Sequence, residues 1–108
     1  MTAGVSTFTT VNAATVNSTS DINLKDNIEK IENPLDKIIK IDGVNFNWKR
    51  TGELSSGVIA QNVEEVLPQL IAEGSDGFKS VNYNGLVGVL IEAVKELKKE
   101  IDELKSNS

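Results

Sequence analysis

Cysteine and histidine are both absent from the 108 residues, which closes several kinds of chemistry at once. Zinc sites built on thiolate or imidazole, thiol nucleophiles, disulfides and Ser-His-Asp triads all need one or the other. Aromatic side chains make up 5% of the chain, with a single Trp, so large core anchors are few. No apolar run approaches the roughly 20 residues of a membrane-spanning helix, and no basic-then-apolar leader is present. An excess of positive charge is lacking too: 11 Lys and Arg face 16 Asp and Glu, for a formal charge of -5. That balance argues against a grip on nucleic acid through overall charge. The chemistry left to an enzyme is that of hydroxyl, amine and carboxylate groups, with no metal and no cofactor expected.

The length allows one small domain. A chain of this size buries only about 60–65% of its unfolded surface by itself, so self-association is an expected source of stability.

Charge is missing in a second, local sense. Residues 1–20 carry no charged side chain and nine of them are Ser or Thr, so all 27 charges fall in 21–108. Val5, Thr7, Thr9, Val11, Thr15 and Val16 are β-branched, and the segment reads as extended or β structure that needs neighbouring strands. A Ser- and Thr-rich tail or linker fits the same composition. The compositional boundary at Ser20–Asp21 is sharp on either reading.

Beyond it, 22–31 is ambiguous: Ile22 and Leu24 alternate like a strand, whereas Ile28 and Ile31 follow at helical spacing. Asn33-Pro34 opens a short helix, with Asn as N-cap, Asp36 in the first turn and Gly43 as its end. Val44, Phe46 and Trp48 alternate with Asn45 and Asn47 as a strand, and Phe46 and Trp48 share one face as expected core anchors. A turn at Thr51-Gly52 leads to the apolar run Gly57-Val58-Ile59-Ala60. Gln61 to Leu67 forms a brief helix stopped by Pro68, with a capping role expected for Gln61 and Asn62. Gly74-Ser75-Asp76-Gly77 joins a hairpin between Gln69–Glu73 and Phe78–Val81. From Asn82 or Asn84 to about residue 105 the chain is helical. The fold class is α+β: a small body of short strands and short helices with a long C-terminal helix.

In that helix Val87, Leu90, Val94, Leu97, Ile101 and Leu104 recur at spacings of 3, 4, 3, 4 and 3, among Lys and Glu. A stripe so narrow suits a partner helix better than a globular core. Leu86 and Ile91, near its start, fit the other possibility, a helix packed on its own domain. The spacing alone leaves a parallel oligomer of two or three chains open.

Without His or Cys, a nucleophile has to be a hydroxyl activated by a lysine or an amine terminus. A lysine serves as base only where desolvation or neighbouring positive charge favours the neutral amine. Ser20 and Lys25 are five apart, and a tight turn can bring the amine back to the hydroxyl. The spacing by itself is nearly uninformative, since both residues are common.

Ser20-Asp21-Ile22-Asn23-Leu24-Lys25-Asp26-Asn27-Ile28 resembles the SD-x-x-LK-x-N-I opening of the peptidase S74 family. This family comprises the C-terminal intramolecular chaperone domains of phage tail spikes and tail fibres, and occurs in myelin regulatory factor proteins. Further resemblances follow in order: Gly43-Val44-Asn45-Phe46-Asn47-Trp48, then Gly57-Val58-Ile59-Ala60-Gln61-Asn62-Val63 with Leu67-Pro68. Ser80-Val81-Asn82-Tyr83 with Leu86, and Leu90-Ile91-Glu92-Ala93-Val94-Lys95-Glu96-Leu97, complete the series.

The resemblance implies a homotrimer whose long helices form a parallel coiled coil through Val87, Leu90, Val94, Leu97, Ile101 and Leu104. It implies that 1–20 is the end of a β-rich fibre segment and 21–108 the chaperone that assembles it. The chaperone would then free itself by autoproteolysis beside Ser20, with Ser20 and Lys25 as catalytic dyad and Thr19, Ser20 and Asp21 around the cut. The implied partners are further copies of the chain and its own upstream segment, with neither nucleic acid nor membrane. The implied setting is the host bacterial cytoplasm during virion assembly. A trimerising chaperone with a silent dyad is the alternative. A hydrolase acting on outside substrates lacks a G-x-S-x-G elbow or second base, and a myelin regulatory factor fragment would be expected to bring a basic DNA-binding region or a membrane span. Asn82 and Tyr83 are candidates for neighbours of the dyad.

Overall fold

The computed structural model describes residues 17–107. The β reading of the first segment therefore lies outside the described residues, except for its last four, which are exposed and irregular. The ambiguous stretch after them is neither strand nor α-helix. A single 3-10 turn spans Ile22–Leu24, opened by Asp21, and irregular chain follows. Ile28 is 63% exposed, whereas Ile31 packs on the core.

Helix α1 (Pro34–Ile38) starts where Asn33-Pro34 places it, with an entry different from the expected cap. Asn33 is left-handed (φ 51°) and its side chain caps no N–H. Asn tolerates that backbone region better than most residues, so here it turns the chain into the helix. A capping contact comes instead from a remote side chain: Glu96 Oε1 accepts from Leu35 N–H at 3.3 Å. The helix also ends earlier than Gly43, closing with a turn in which Ile41 N–H donates to Ile38 carbonyl.

Strands β1 (Val44–Asn47) and β2 (Leu54–Gly57) form an antiparallel hairpin, with Val44 opposite Gly57 and Asn47 opposite Leu54. Its turn is made by Gly52 at φ 77°, a conformation glycine adopts without strain. Trp48 does not anchor a core. It sits past the end of β1 at the hairpin tip, 56% exposed, with its ring edge-on to Phe46 at 4.9 Å. A two-stranded ribbon has only one neighbour per strand, and the tip lies beyond what the body covers. At its other end the hairpin meets Tyr83, whose hydroxyl accepts from Val58 N–H at 3.4 Å.

Helix α2 (Ala60–Glu64) carries Val63 into the centre, and a 3-10 turn (Pro68–Leu70) follows. Asn62 does not cap α2. Its Oδ1 accepts from Asp42 N–H at 2.8 Å and its Nδ2 donates to Lys40 carbonyl at 3.0 Å, which ties the loop after α1 to α2. Strands β3 (Ile71–Glu73) and β4 (Lys79–Val81) make the second antiparallel hairpin, as its glycine-bounded turn predicts. An ion pair of 2.6 Å between Lys79 and Glu64 fastens it to α2.

Helix α3 (Tyr83–Ser106) runs 24 residues, about 36 Å. Asn82 caps it, accepting from Gly85 N–H at 3.2 Å. Leu86 and Val89 join Val63 and Leu67 as the buried cluster, with Ile31, Ile38, Ile41 and Val81 packed around them. The helix therefore does pack on its own body, and it does so through Leu86, Val89 and Ala93, which belong to a different stripe from the heptad positions. At 100° per residue the two stripes lie roughly a quarter turn apart. Val87, Leu90, Val94, Leu97, Ile101 and Leu104 remain 46–71% exposed. Among the described residues no helix is long and apolar enough to cross a membrane.

Candidate functional site

The site begins with Asp21. Its Oδ1 accepts from Asn23 backbone N–H at 2.9 Å and from Asn23 Nδ2 at 3.0 Å, an Asx-type turn that starts the 3-10 segment. Leu24 N–H then donates to Asp21 carbonyl and Lys25 N–H to Ile22 carbonyl, both at 3.1 Å. This reversal brings the side chain of Lys25 back over the start of the turn. Lys25 Nζ donates to Ser20 Oγ at 2.6 Å. Both residues are exposed in the single chain.

They lie in an open cleft of about 620 Å³, whose walls include Ser18 and Thr19 on one side and Asn82, Asn84 and Val87 from the start of α3 on the other. The side-chain amide of Asn84 donates to Ser18 Oγ at 2.7 Å. The residues placed around the cut by sequence thus divide: Thr19 and Ser20 line the cleft, and Asp21 shapes the turn beneath it. Of the two candidate neighbours, Asn82 lines the cleft, while Tyr83 reaches Val58 on the side of the β1–β2 hairpin. The sequence marks Asn84 only as a possible start of the helix, whereas the structure brings it to the cleft. A side-chain amide in the first turn of a helix, two residues past an Asn cap, was the available signal.

Of the six heptad positions, Val87 alone reaches this cleft. The other five follow along α3 away from it, beside a polar face on which Lys98 pairs with Asp102 at 2.6 Å and Lys95 with Glu92 at 3.3 Å.

A family model described as chaperone of endosialidase, Peptidase_S74, matches residues 20–72. The chain is 34% identical over 108 residues to the long tail fiber protein Gp37 of Enterobacteria phage K3, covering 92% of this chain and 9% of that protein. It is 38% identical over 101 residues to the Gp37 long tail fiber protein of Salmonella phage S16, covering 83% and 14%. The chain thus spans only a small part of the fibre proteins it is similar to. Through the segment that opens with Ser20 and its lysine partner and runs to Ala72, the chain belongs to the Peptidase_S74 family, the chaperone of endosialidase.

Proposed function

We propose that residues 21–108 form a trimerising chaperone that assembles a β-rich tail-fibre segment ending near residue 20, and then cuts itself free beside Ser20. The observation that carries the reading is the position of Lys25 Nζ, 2.6 Å from Ser20 Oγ, in a cleft shared with Val87, the first residue of the exposed heptad stripe. The chemistry and the assembly surface meet at one place.

The assembly half follows from what the single chain leaves uncovered. Five hydrophobic residues are buried among the described residues, against sixteen large hydrophobics left exposed, six of them the heptad stripe. Three stripes closing on one another would bury those side chains as a parallel coiled coil. About two and a half heptads are marginal alone, so the body at the start of the helix helps hold the trimer. The partners are two further copies and the upstream segment, and the setting is the host bacterial cytoplasm during virion assembly.

For the cut, Lys25 acts as a neutral amine and takes the proton of Ser20 Oγ along the same 2.6 Å line. The freed oxygen attacks the Thr19 carbonyl carbon through a five-membered ring, and the Thr19–Ser20 C–N bond breaks as Lys25 returns its proton to the leaving nitrogen. Water then hydrolyses the ester, leaving Thr19 as a carboxylate and restoring the Ser20 hydroxyl. A cut at the Ser20–Asp21 bond needs another route, attack by Ser20 of a neighbouring copy or by a water that the dyad activates. In the single chain Lys25 is exposed, and an ammonium in water is a poor base. Packing a second and third chain against Val87 would dry the cleft and favour the neutral amine. Cleavage would then follow correct assembly, and release of the chaperone leaves the fibre kinetically trapped.

The test is Lys25→Ala in the 108-residue chain, followed by denaturing gels and mass spectrometry. The unsubstituted chain is expected to yield an 88- or 89-residue product, depending on the bond cut, and the variant none. Continued processing of the variant rules out the dyad.

A further inference from the structure

Thr19 lies between two anchors. Residues 17–20 have no regular secondary structure, and two hydrogen bonds tie them to the rest of the described residues. One is Lys25 to Ser20. The other runs across 66 positions of sequence, from Asn84 Nδ2 to Ser18 Oγ at 2.7 Å. The peptide bond that joins Thr19 to Ser20 is held on both sides, by a group on the 3-10 turn and by a group on α3.

The structure of the helix start does not itself account for Asn84. Capping is already done by Asn82, whose side chain accepts from Gly85 N–H. Asn is also a weaker helix former than Ala, so the residue lowers the intrinsic stability of α3 where it stands. Its side chain is spent on Ser18 instead. Attack by a hydroxyl on the adjacent carbonyl is sensitive to orientation, and a segment fixed at only one end swings about that point.

We propose that Asn84 is a positioning residue for self-cleavage, gripping the hydroxyl two residues upstream of Ser20 and holding the scissile backbone against Lys25. This role rests on the autoproteolysis reading above. Asn84 does not touch the reacting atoms. Its partner Ser18 becomes part of what the domain recognises in the end of the fibre, a small side chain with a hydroxyl at that position.

The experiment follows self-cleavage of the 108-residue chain over time, with assembly monitored by light scattering and folding by thermal melting. Asn84→Ala and Ser18→Ala are each expected to slow cleavage about fivefold, the worth of one neutral hydrogen bond. The double variant is expected to be no slower than either single one, because both remove the same contact. Ser18→Thr keeps the hydroxyl and is expected to retain most of the rate. Assembly and melting stay unchanged. If Asn84→Ala disturbs α3 or the trimer, Ser18→Ala still reads the contact from the other side. Cleavage at the unsubstituted rate in Asn84→Ala, or effects that multiply in the double variant, would overturn the role while leaving the dyad standing. A chain that is never cut overturns the autoproteolysis reading, and this role with it.

Discussion

Leu97 would separate the packing of α3 on its own body from the proposed seam between chains. It lies on the heptad stripe, 48% exposed, and is not part of the buried cluster of Val63, Leu67, Leu86 and Val89. Complete burial of a leucine side chain is worth about 2 kcal/mol. About half of that is still available in the single chain, so closing the stripe gains about 1 kcal/mol per chain, or about 3 kcal/mol per trimer, at this position. Leu97→Ala gives up most of that gain without weakening the helix, since Ala is the strongest helix former. At about 1.4 kcal/mol per tenfold, trimer association should weaken roughly a hundredfold. Sedimentation or light scattering across a dilution series measures it, with Lys99→Ala, on the side of the helix opposite the stripe, as control. Circular dichroism should show little change in the fold of the body. Unaltered association in Leu97→Ala, or loss of the body's fold in place of association, would refute the assignment of this stripe to partner helices.

Other outcomes are fixed by single contacts. At Gly57 an added Cβ would stand 2.7 Å from the Tyr83 hydroxyl. Gly57→Ala should therefore lower stability by about 1–3 kcal/mol in denaturant unfolding, with partial rescue by Tyr83→Phe, which removes the obstructing oxygen. The hydrogen bond that Lys79 Nζ donates to Glu64, together with the charges of Glu64 and Glu73, raises the pKa of Lys79 above its ordinary 10.5 despite an opposing effect of desolvation. A raised folded-state pKa makes the ion pair's contribution fully present at neutral pH and lost as pH climbs past 10.5 through the folded value. Melting temperatures in Lys79→Met should accordingly differ from the unsubstituted chain most at neutral pH, and the difference should shrink in strong alkali.

How much of this was legible in the sequence depended on whether the signal was local. The β3–β4 hairpin, the start of α1 at Pro34 and the length of α3 are written in turn residues and periodicity. Asn33 shows the limit: the residue type is right for a helix start, but its left-handed backbone leaves the Leu35 N–H to Glu96, 61 positions away from it. Trp48 failed for a related reason. Alternation placed it on a strand face, and nothing in the sequence says that the face runs out at the hairpin tip. The approach of Ser20 to Lys25 needed the Asx turn at Asp21, which the acidic residue and Asn23 encode locally. The contact between Asn84 and Ser18 joins residues 66 positions apart, and no spacing rule reaches that far.

The placement of α3 also bears on why one helix would carry both halves of the proposed function. Its first turns wall the cleft through Asn84 and Val87, while its buried stripe fixes the same turns rigidly to α1 and α2 through Leu86 and Val89. A seam that closes on Val87 therefore does not have to transmit a distant conformational change to the dyad. In the proposed trimer the arriving helix itself would become part of the wall, so desolvation of Lys25 and completion of the trimer would be one event. This arrangement predicts an order along the helix. Weakening the seam at Leu104, five positions removed from Val87 in the stripe, should reduce association with little effect on the cutting rate of the trimers that do form. Polar substitution at Val87 (Val87→Asn) should slow cutting even in trimers that are fully assembled at high concentration. Measuring the rate per assembled trimer distinguishes the two, and equal rates for both variants would mean that the cleft is not closed by the seam.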